Sequence, residues 1–454
     1  MAGPMLHTGL TGPLPRQASG ATDRLELRAY RMLTRLARPA VPYILRFRES
    51  KGKEDPQRRG ERLGRASIVR PDGPVAWVHA ASVGETSAVL PLMERLKQLR
   101  PGLTVLLTTG TVTSANFAAS RLGSSTVHQY VPLDEPSYVA AFLDYWRPVL
   151  GIFTEQEVWP NLVLSAASRG IPLALVNARM SDRSFDRWQR RQGLAAALFS
   201  HFDIVLAQNA ELAQRFERIG ASQAMVVGNL KIDSPPPPVG VAAFAALQEA
   251  LAGRPRVVAA STHAGEELAI AEAHMAIRSQ FDGLIAIVAP RHPERGAALA
   301  EAIAGVGLTV RRRALGELPA PDTDVYIADT IGELGTFYAA SPVAFVGGSL
   351  IPHGGQNPIE AVRHGAVVVT GPSTHNFTDA YGALLASGGA LQVGAPGEIA
   401  PVLAALLADP PRVEAMRENA TLALAGLSGA LERTAAALLP YLPEGEGRRA
   451  ALGG

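Results

Sequence analysis

The feature that most constrains the fold of this chain is a regular alternation of short apolar strand patterns with helical patterns, which occurs in two stretches. In the first stretch the predicted strands are residues 75–80, 103–108, 148–153, 172–176, 204–207 and 225–227. Helical patterns separate most of these strands, and such βα alternation is typical of a parallel, doubly wound sheet.

The alternation stops at a proline-rich segment and then starts again. Asp233 and Ser234 precede four prolines at 235–238, a composition that predicts a stiff, extended linker. The second series of predicted strands is 256–260, 284–289, 308–311, 325–328, 343–346 and 366–369. We therefore predict two α/β domains joined by a proline-rich hinge.

The predicted division of the chain has six parts. They are a loose terminus (1–22), an amphipathic arm (23–54), a first α/β domain (55–232), a linker (233–242), a second α/β domain (243–428), and a carboxyl-terminal helix with a tail (429–454). The chain has no cysteine, which excludes disulfides, thiolate-bound metals and thiol nucleophiles.

Charge is unevenly distributed along the chain. The total is only +2, which predicts no nucleic-acid partner, but residues 24–70 hold fourteen Lys/Arg against five Asp/Glu. Apolar and arginine positions in the arm follow a helical period that Pro39 and Pro42 interrupt, and no apolar run reaches the ~20 residues of a spanning helix. The pattern favours a helix lying in an anionic membrane surface; a soluble helix packed on the body is the alternative.

Ligands of doubly wound sheets bind beyond the carboxyl ends of the strands, so the loops there are the candidate sites. Ser82, Gly84 and Glu85 follow the first predicted strand and could bring the start of a helix close to an anion or a sugar. The equally good alternative is that Ser82 caps this helix and Glu85 completes a capping box.

Two acidic residues follow the strand at 148–153. Glu155 and Glu157 flank Gln156 beside Trp159, a group suited to polyol recognition or general-base catalysis, with helix-terminus decoration as the alternative. Arg179 follows the next strand and supplies a guanidinium that fits phosphate or carboxylate.

The second domain carries hydroxyl, imidazole and guanidinium groups in corresponding loops. Ser261, Thr262 and His263 lack the lysine of a phosphate-binding P-loop but could hold a phosphate diester. Arg291 and His292 follow the next strand and place cations nearby, although His292 could equally be a helix cap.

The most informative stretch lies between residues 347 and 361. Its glycine pairs allow positive φ and close approach of a ligand. Its polar residues resemble the start of a helix, and a capping role is the alternative for Glu360. The candidate residues are Gly347, Gly348, Ser349, Gly354, Gly355, Asn357 and Glu360. The acidic pair Asp322 and Asp324 precedes a strand, so we predict a surface turn there and not a metal site.

Taken together, these loops resemble the Kdo transferases, the 3-deoxy-D-manno-octulosonic acid (Kdo) transferases of lipopolysaccharide assembly. The resemblance spans about residues 55–440 and rests on several short motifs in order. They are Arg59-Gly60-Glu61-Arg62-Leu63-Gly64, Ser82-Val83-Gly84-Glu85-Thr86, Glu157-Val158-Trp159-Pro160-Asn161, Asn177-Ala178-Arg179-Met180-Ser181, Gly228-Asn229-Leu230-Lys231, Ser261-Thr262-His263 with Gly265-Glu266-Glu267, Pro290-Arg291-His292-Pro293-Glu294-Arg295, Gly347-Gly348-Ser349, and Gly354-Gly355 with Asn357-Pro358 and Glu360-Ala361.

The resemblance implies a GT-B glycosyltransferase with two Rossmann-like, doubly wound domains facing a central cleft. It implies an inverting transfer from CMP-Kdo, bound by the second domain, to lipid IVA, bound by the first, without a cofactor or required metal. It also implies a peripheral enzyme at the cytoplasmic face of the inner membrane, although the arm is less hydrophobic than is common in the family.

The resemblance also assigns residues to roles. Glu61 is the implied catalytic base, and no residue is an implied metal ligand. Acceptor binding falls to Arg59, Arg62, Ser82, Gly84, Glu85, Glu155 and Glu157, and donor binding to Arg179, Ser261, Thr262, His263, Arg291, His292, Gly347, Gly348, Ser349, Gly354, Gly355, Asn357 and Glu360. The family commonly has threonine where this chain has Gln156.

Three other functions stay open at this point. One is a sugar-nucleotide epimerase of the same two-domain fold, which needs no lipid acceptor. Another is a GT-B transferase that uses a UDP-sugar, and the last is a non-catalytic, membrane-bound sugar-binding scaffold.

Overall fold

The computed structural model describes residues 21–123 and 126–444, and it divides into two compact units. Unit 1 holds the described residues up to Ser234 and those from Gly429 onward, and unit 2 spans Pro235–Ser428. Most of the predicted loose terminus (residues 1–20) and the end of the predicted tail (residues 445–454) lie outside the described residues.

Unit 1 is built on a seven-stranded, all-parallel sheet. Its strands are β1 (Val75–His79), β2 (Thr104–Thr109), β3 (Thr126–Tyr130), β4 (Leu150–Thr154), β5 (Leu173–Ala178), β6 (Ile204–Ala207) and β7 (Ala224–Val226). Their order across the sheet is β3-β2-β1-β4-β5-β6-β7. The chain therefore winds outward in one direction from β1 and in the other from β4.

Helices connect these strands and cover both faces of the sheet. They are α1 (Ala21–Leu36), α2 (Val41–Ser50), α3 (Arg59–Arg62), α4 (Val83–Leu99), α5 (Val112–Ala119), α6 (Pro136–Trp146), α7 (Pro160–Ser168), α8 (Asp182–Gln189), α9 (Gln192–Phe199), α10 (Ala210–Arg218) and α11 (Leu230–Asp233). Strand β1 shows the two-sided burial, since Val75 and Trp77 pack into one apolar cluster while Ala76 and Val78 pack into another.

Unit 2 repeats this architecture with a second parallel sheet of seven strands. The strands are β8 (Arg256–Thr262), β9 (Ile285–Pro290), β10 (Val310–Arg312), β11 (Val325–Ile327), β12 (Val343–Val346), β13 (Val367–Thr370) and β14 (Ala390–Gln392), in the order β10-β11-β9-β8-β12-β13-β14. The helices are α12 (Val241–Ala250), α13 (Glu266–Ile277), α14 (Gly296–Gly305), α15 (Leu334–Ala339), α16 (Pro358–Arg363), α17 (Thr378–Ala386), α18 (Ile399–Leu407) and α19 (Pro410–Leu427).

The last helix of the described chain, α20 (Ala430–Leu438), returns to unit 1. The Asp233 carboxylate accepts the backbone N–H groups of Gly429 and Leu431 at 3.0 and 2.7 Å, which fixes the start of α20. Ala435 and Leu438 then pack into the apolar cluster that covers one face of the unit 1 sheet. The predicted carboxyl-terminal helix is therefore part of the first unit.

The predicted α/β, doubly wound fold is confirmed in both units. Strands β3 and β14 were missing from the prediction because both are edge strands with weak apolar patterns: in β3 two polar residues separate Val127 from Tyr130, and β14 has only three residues. The arm is interrupted where its prolines predict, since a 3₁₀ turn at Arg38–Ala40 separates α1 from α2.

Candidate active site

The unit 1 sheet changes winding direction between β1 and β4, and such a switch point opens a crevice beyond the carboxyl ends of the strands. The loop after β1 brings Ser82 and Glu85 to this point, and the loop after β4 brings Glu155 and Glu157. Two of the loops that the sequence singled out therefore converge at one place in the sheet.

Glu85 serves the start of α4 and also reaches toward β4. Ser82 accepts the N–H of Glu85, and the Glu85 carboxylate accepts the N–H of Ala81 at 2.9 Å and the Ser82 hydroxyl at 2.7 Å. The Ser82 cap, which the sequence left as an alternative, is thus present, but Glu85 accepts the N–H of Ala81 and not that of Ser82, so the capping box is only partly formed. Thr154 at the end of β4 also donates to Glu85 at 3.0 Å, so the box lies directly at the switch point.

Gly84 occupies the first turn of α4 and is exposed. A Cβ built at this position would meet no atom of the described chain within 4 Å. Internal packing therefore does not require glycine here, and the start of α4 offers an open surface to a ligand.

Glu85, Glu155 and Glu157 form a group of mutually repelling carboxylates, here called the acidic trio. Burial, and then repulsion from Glu155, raises the pKa of Glu85; burial, and then repulsion from Glu85, raises the pKa of Glu157. Lys231 relieves part of the repulsion by pairing with Glu155 at 2.6 Å. Lys231 belongs to one of the family motifs, but the sequence predicted no role for it because its partner Glu155 lies 76 residues away.

Backbone strain also concentrates at these loops. Glu155 and Asn177 have φ of +54° and +50°, conformations that non-glycine residues adopt rarely. The pairing of β5 with β6 is irregular between Leu175 and Ala178, and the N–H of Arg179 donates to the Glu155 carbonyl at 3.3 Å. Arg179 therefore lies in unit 1 beside the loop after β4, although the sequence assigned it to the donor.

Glu61, the implied catalytic base, is 1% exposed and is therefore a buried acid. Both carboxylate oxygens of Glu61 accept hydrogen bonds from the Arg58 guanidinium at 2.9 Å. The backbone N–H of Tyr130 also donates to Oε2 at 2.7 Å, and the Ser67 hydroxyl donates to Oε1. These donors fill the four lone-pair positions of the carboxylate. Arg58 was missed, although its i, i+3 spacing from Glu61 on a helical turn was visible in the sequence.

The two arginines expected to hold acceptor phosphates are already paired. Arg62 is 4% exposed; it pairs with the buried Glu54 at 2.9 Å and also donates to the Gly110 carbonyl. It is therefore committed to the interior, and its predicted acceptor contact is not available in this arrangement. Arg59 pairs with Glu49 and keeps part of its surface exposed.

In unit 2 the winding direction switches between β8 and β12. Ser261 has φ of +54° at an irregularity in the pairing of β8 with β9. A Cβ on Gly347 would lie 2.6 Å from the Ser261 carbonyl, so glycine at this position lets the two loops touch. Thr262 is wholly buried, so its hydroxyl could contact a ligand only after a rearrangement of this loop.

Glu266 joins the two loops of this switch point. Its carboxylate, 1% exposed, accepts backbone N–H groups from His263, Gly348, Ser349 and Leu350 at 2.7–3.0 Å. The backbone N–H groups of Gly348 and Ser349 were predicted to bind the donor. They are instead occupied by Glu266, a motif residue for which the sequence predicted no role. The Ser349 hydroxyl is also internal, donating to the Val346 carbonyl at 2.6 Å.

Three imidazoles surround the exposed side of this loop. The His263 ring lies 4.3 Å from that of His353 and 6.0 Å from that of His292, and Gln356 lies 3.1 Å from its Nε2. Burial, and then His353, lowers the pKa of His263. Exposed Arg291 follows the same strand as His292, so this surface combines neutral and cationic donors suited to a phosphate.

The remaining predicted donor residues form the start of α16. Asn357 caps this helix by accepting the N–H of Ile359 at 3.1 Å, and its side-chain amide donates to the half-buried Glu360 at 3.1 Å. Gly354 has φ of +100° and packs against His375 and Asn376, which would contact a Cβ there at 2.6 Å.

The arm presents an unusual amount of apolar surface. Leu27 packs on α9, and Tyr30 donates to Asp134 at 2.9 Å, which attaches α1 to unit 1. The large apolar side chains at least half exposed are Leu25, Met32, Leu33, Leu36, Tyr43, Ile44 and Phe47. Elsewhere in the described chain, Pro410–Tyr441 is long and apolar enough to span a bilayer, a test that core helices of soluble proteins also pass.

Comparison with known proteins agrees with this geometry. Residues 57–234 match the family model described as 3-deoxy-D-manno-octulosonic-acid transferase (kdotransferase). The chain is 33% identical to the 3-deoxy-D-manno-octulosonic acid transferase of Haemophilus influenzae over 91% of this chain and 98% of that protein. It is 39% identical to that of Bordetella pertussis over 84% and 91%.

A solved structure supports the fold independently of these sequences. The crystal structure of a glycosyltransferase from Rickettsia africae superposes with a TM-score of 0.56, covering 82% of this chain and 98% of that one, at 12% identity. At that identity the likeness concerns the fold alone. With the extent of the sequence matches, the conclusion is that this chain is a glycosyltransferase of the 3-deoxy-D-manno-octulosonic acid transferase family.

Proposed function

We propose that the enzyme transfers Kdo from CMP-Kdo to lipid IVA by a single displacement with inversion, and that the reaction uses no resident metal. The observation that carries this proposal is that motif loops meet at the switch point of each sheet, those after β1 and β4 in unit 1 and those after β8 and β12 in unit 2. Unit 1 then takes the acceptor, and unit 2 takes the donor.

The donor's phosphate fits the cationic and imidazole surface of unit 2. In the proposed step the bond between Kdo and the phosphate breaks, and CMP leaves with the bonding electrons. Arg291, His292 and the exposed edge of His263 are placed to stabilise the charge that develops on this phosphate. Asn357 and Glu360 remain candidates for the nucleoside, since both keep part of their surface exposed.

The acceptor hydroxyl forms the new bond to Kdo and gives its proton to a carboxylate, for which we propose Glu61. Because four donors fill the lone pairs of Glu61, the acceptor must replace one of them. Ser67 is the exposed partner, and its hydroxyl makes the same kind of hydrogen bond as a sugar hydroxyl. The acceptor therefore takes the place of Ser67 on Oε1.

The proposed location is the cytoplasmic face of the inner membrane. The exposed apolar side chains of α1 and α2 stand among the exposed arginines Arg28, Arg31, Arg35 and Arg46. Apolar surface flanked by arginine suits the boundary between acyl chains and anionic headgroups. This placement would present unit 1 to a lipid acceptor.

The test is incubation of the enzyme with CMP-Kdo and lipid IVA, followed by mass spectrometry of the lipid. The expected result is a lipid heavier by one or more Kdo residues. An unchanged lipid would reject the proposal; interconversion of a free sugar nucleotide in the same assay would favour an epimerase, and transfer from a UDP-sugar would favour a different donor.

Two variants test the base within that assay. Glu61→Gln should bind CMP-Kdo normally but lose transfer by ~10²–10⁴-fold, the usual contribution of a general base. Ser67→Ala should keep activity within a few-fold, because it removes only the group that the acceptor displaces. Substantial transfer by Glu61→Gln would exclude Glu61 as the base.

A further inference from the structure

A cavity of about 530 Å³ lies in unit 1 between the loop after β4 and the α8–α9 segment. Gln156 and Glu157 line one side, and Arg187, Trp188 and Arg191 line another. The volume is within the range of small-molecule sites, ~300–1,000 Å³. Neither the family motifs nor the predicted site includes the residues of this second side.

One face of α8 and the turn after it supplies that side. Ser184, Arg187, Trp188 and Arg191 have the i, i+3, i+4, i+7 spacing that places helical residues in one row. Both arginines are exposed, and no carboxylate of the described chain forms an ion pair with either guanidinium. The cavity thus presents two guanidinium groups that form no ion pair within the described residues, and the carboxylate of Glu157 lines its opposite side.

The opposite side of the cavity is continuous with the acidic trio. Glu157 lines the cavity and is also repelled by Glu85 and Glu155 at the switch point. A ligand in the cavity would therefore extend from a cationic end to the acidic residues predicted to bind the acceptor's sugar. Gln156, the position where the family commonly has threonine, also faces this ligand.

The apolar part of the wall connects the cavity with the arm. Trp188 and Leu194 line the cavity and also pack against the cluster in which Leu27 of α1 joins α9. The wall is thus joined through Leu27 to α1, the helix that carries part of the arm's exposed apolar surface. A ligand with both a phosphate and acyl chains fits these surfaces, since the cavity supplies arginines for the phosphate and the arm supplies apolar side chains for the acyl chains.

From this arrangement we infer that the cavity binds the phosphorylated, acyl-bearing sugar of the glycolipid acceptor. Arg187 and Arg191 bind a phosphate, Trp188 packs against the sugar or the first acyl carbons, and Glu157 meets the sugar's polar edge. The inference rests on the proposed function, since it names the place where that acceptor binds. Guanidinium groups suit phosphate because they donate two parallel hydrogen bonds.

The matched control uses two other arginines of the same segment. Arg183 and Arg190 are exposed but do not line the cavity. The double variant Arg183→Ala/Arg190→Ala removes the same charge as Arg187→Ala/Arg191→Ala. General attraction to an anionic membrane therefore falls equally in both, and only a specific site distinguishes them.

The first experiment is steady-state transfer with lipid IVA in mixed micelles. Arg187→Ala/Arg191→Ala should raise the KM for lipid IVA by at least about tenfold, as expected for lost charge-assisted hydrogen bonds, with kcat and the KM for CMP-Kdo nearly unchanged. The control should change these constants less than about twofold, the limit expected for exposed charges. An unchanged acceptor KM, or an equal rise in both variants, would overturn the inference.

The second experiment needs no transfer and so separates this inference from the proposed function. Binding of lipid IVA is compared with binding of its dephosphorylated form and with competition by inorganic phosphate. The wild type and the control should prefer the phosphorylated lipid by at least about tenfold, and Arg187→Ala/Arg191→Ala should lose that preference.

The outcomes of this second experiment are distinct. Equal binding of the two lipids by the wild type would reject the cavity assignment, and inorganic phosphate displacing the lipid at micromolar concentration would indicate a site for the free anion. A phosphate preference without any Kdo transfer would reject the proposed function and leave the cavity assignment intact.

Discussion

Replacing Glu266 with glutamine would test whether this carboxylate, and not the donor, holds the glycine-rich loop. Each of its oxygens accepts two backbone N–H groups, one pair from Ser349 and Leu350 and the other from His263 and Gly348. Glutamine keeps one oxygen and points an amide donor at the other pair. Losing two charge-assisted hydrogen bonds in a buried place costs about 3–6 kcal/mol of unfolding free energy.

Differential scanning calorimetry of the full chain measures this cost. For a unit of the size of Pro235–Ser428, each kcal/mol shifts Tm by roughly 2–4 °C, so the unit 2 transition should fall by about 6–24 °C. Glu267→Gln is the matched control. Glu267 is equally buried, but its partner Arg295 is 34% exposed, so the expected loss is only about 1 kcal/mol.

A result of the opposite kind would refute this reasoning. If Glu266→Gln left the unit 2 transition unchanged while weakening CMP-Kdo binding, the loop amides would belong to the donor phosphate. The glycine-rich loop would then be a ligand cradle, as the sequence first suggested.

Three other perturbations test separate parts of the site. Arg62→Ala should lower the free energy of unfolding by about 1.5–3 kcal/mol in urea titrations, because the buried Glu54 carboxylate loses one of two guanidinium partners and keeps only Arg48 at 2.7 Å. Arg59→Ala should cost at most about 1 kcal/mol; the reverse order would restore Arg62 to ligand binding. The raised pKa of Glu157 means that its ionisation destabilises the folded state as pH rises above 4.5. Glu157→Gln should therefore have a higher Tm than the wild type at pH 7 and the same Tm near pH 4. A Tm equal to that of the wild type at both pH values would contradict a raised pKa of Glu157. Gly84→Ala, which meets open space, should keep its Tm but raise the acceptor's KM; an unchanged KM would remove Gly84 from the site.

The sequence predicted most of what depends on local pattern. Alternating strand and helix patterns located both sheets, and short-range chemistry identified the helix cap that Ser82 provides to the N–H of Glu85 as an alternative that the structure contains. The i, i+3 spacing of Arg58 and Glu61 also allowed their pairing to be predicted, but the motif contains Arg59 and Arg62, and roles were assigned to these two arginines only.

What the sequence could not predict depends on contacts between distant residues. Glu266 receives N–H groups from a loop more than 80 residues away, and Lys231 reaches Glu155 across 76 residues. Neither partner is implied by local spacing, so the glycines were taken as ligand contacts. The cavity lined by Arg187 and Arg191 was missed for the same reason, because an arginine-rich helix alone indicates only a solvated surface.

The most direct test of the central claim, that unit 1 binds the acceptor and unit 2 the donor, is hydrogen–deuterium exchange with each ligand separately. CMP-Kdo should slow exchange in segments 291–296 and 353–357 and leave the loops after β1 and β4 unchanged. Lipid IVA should slow exchange in segments 82–87 and 155–159 and in α8. Protection of the unit 1 loops by CMP-Kdo alone, or of the unit 2 loops by lipid IVA alone, would contradict the assignment of the two sites.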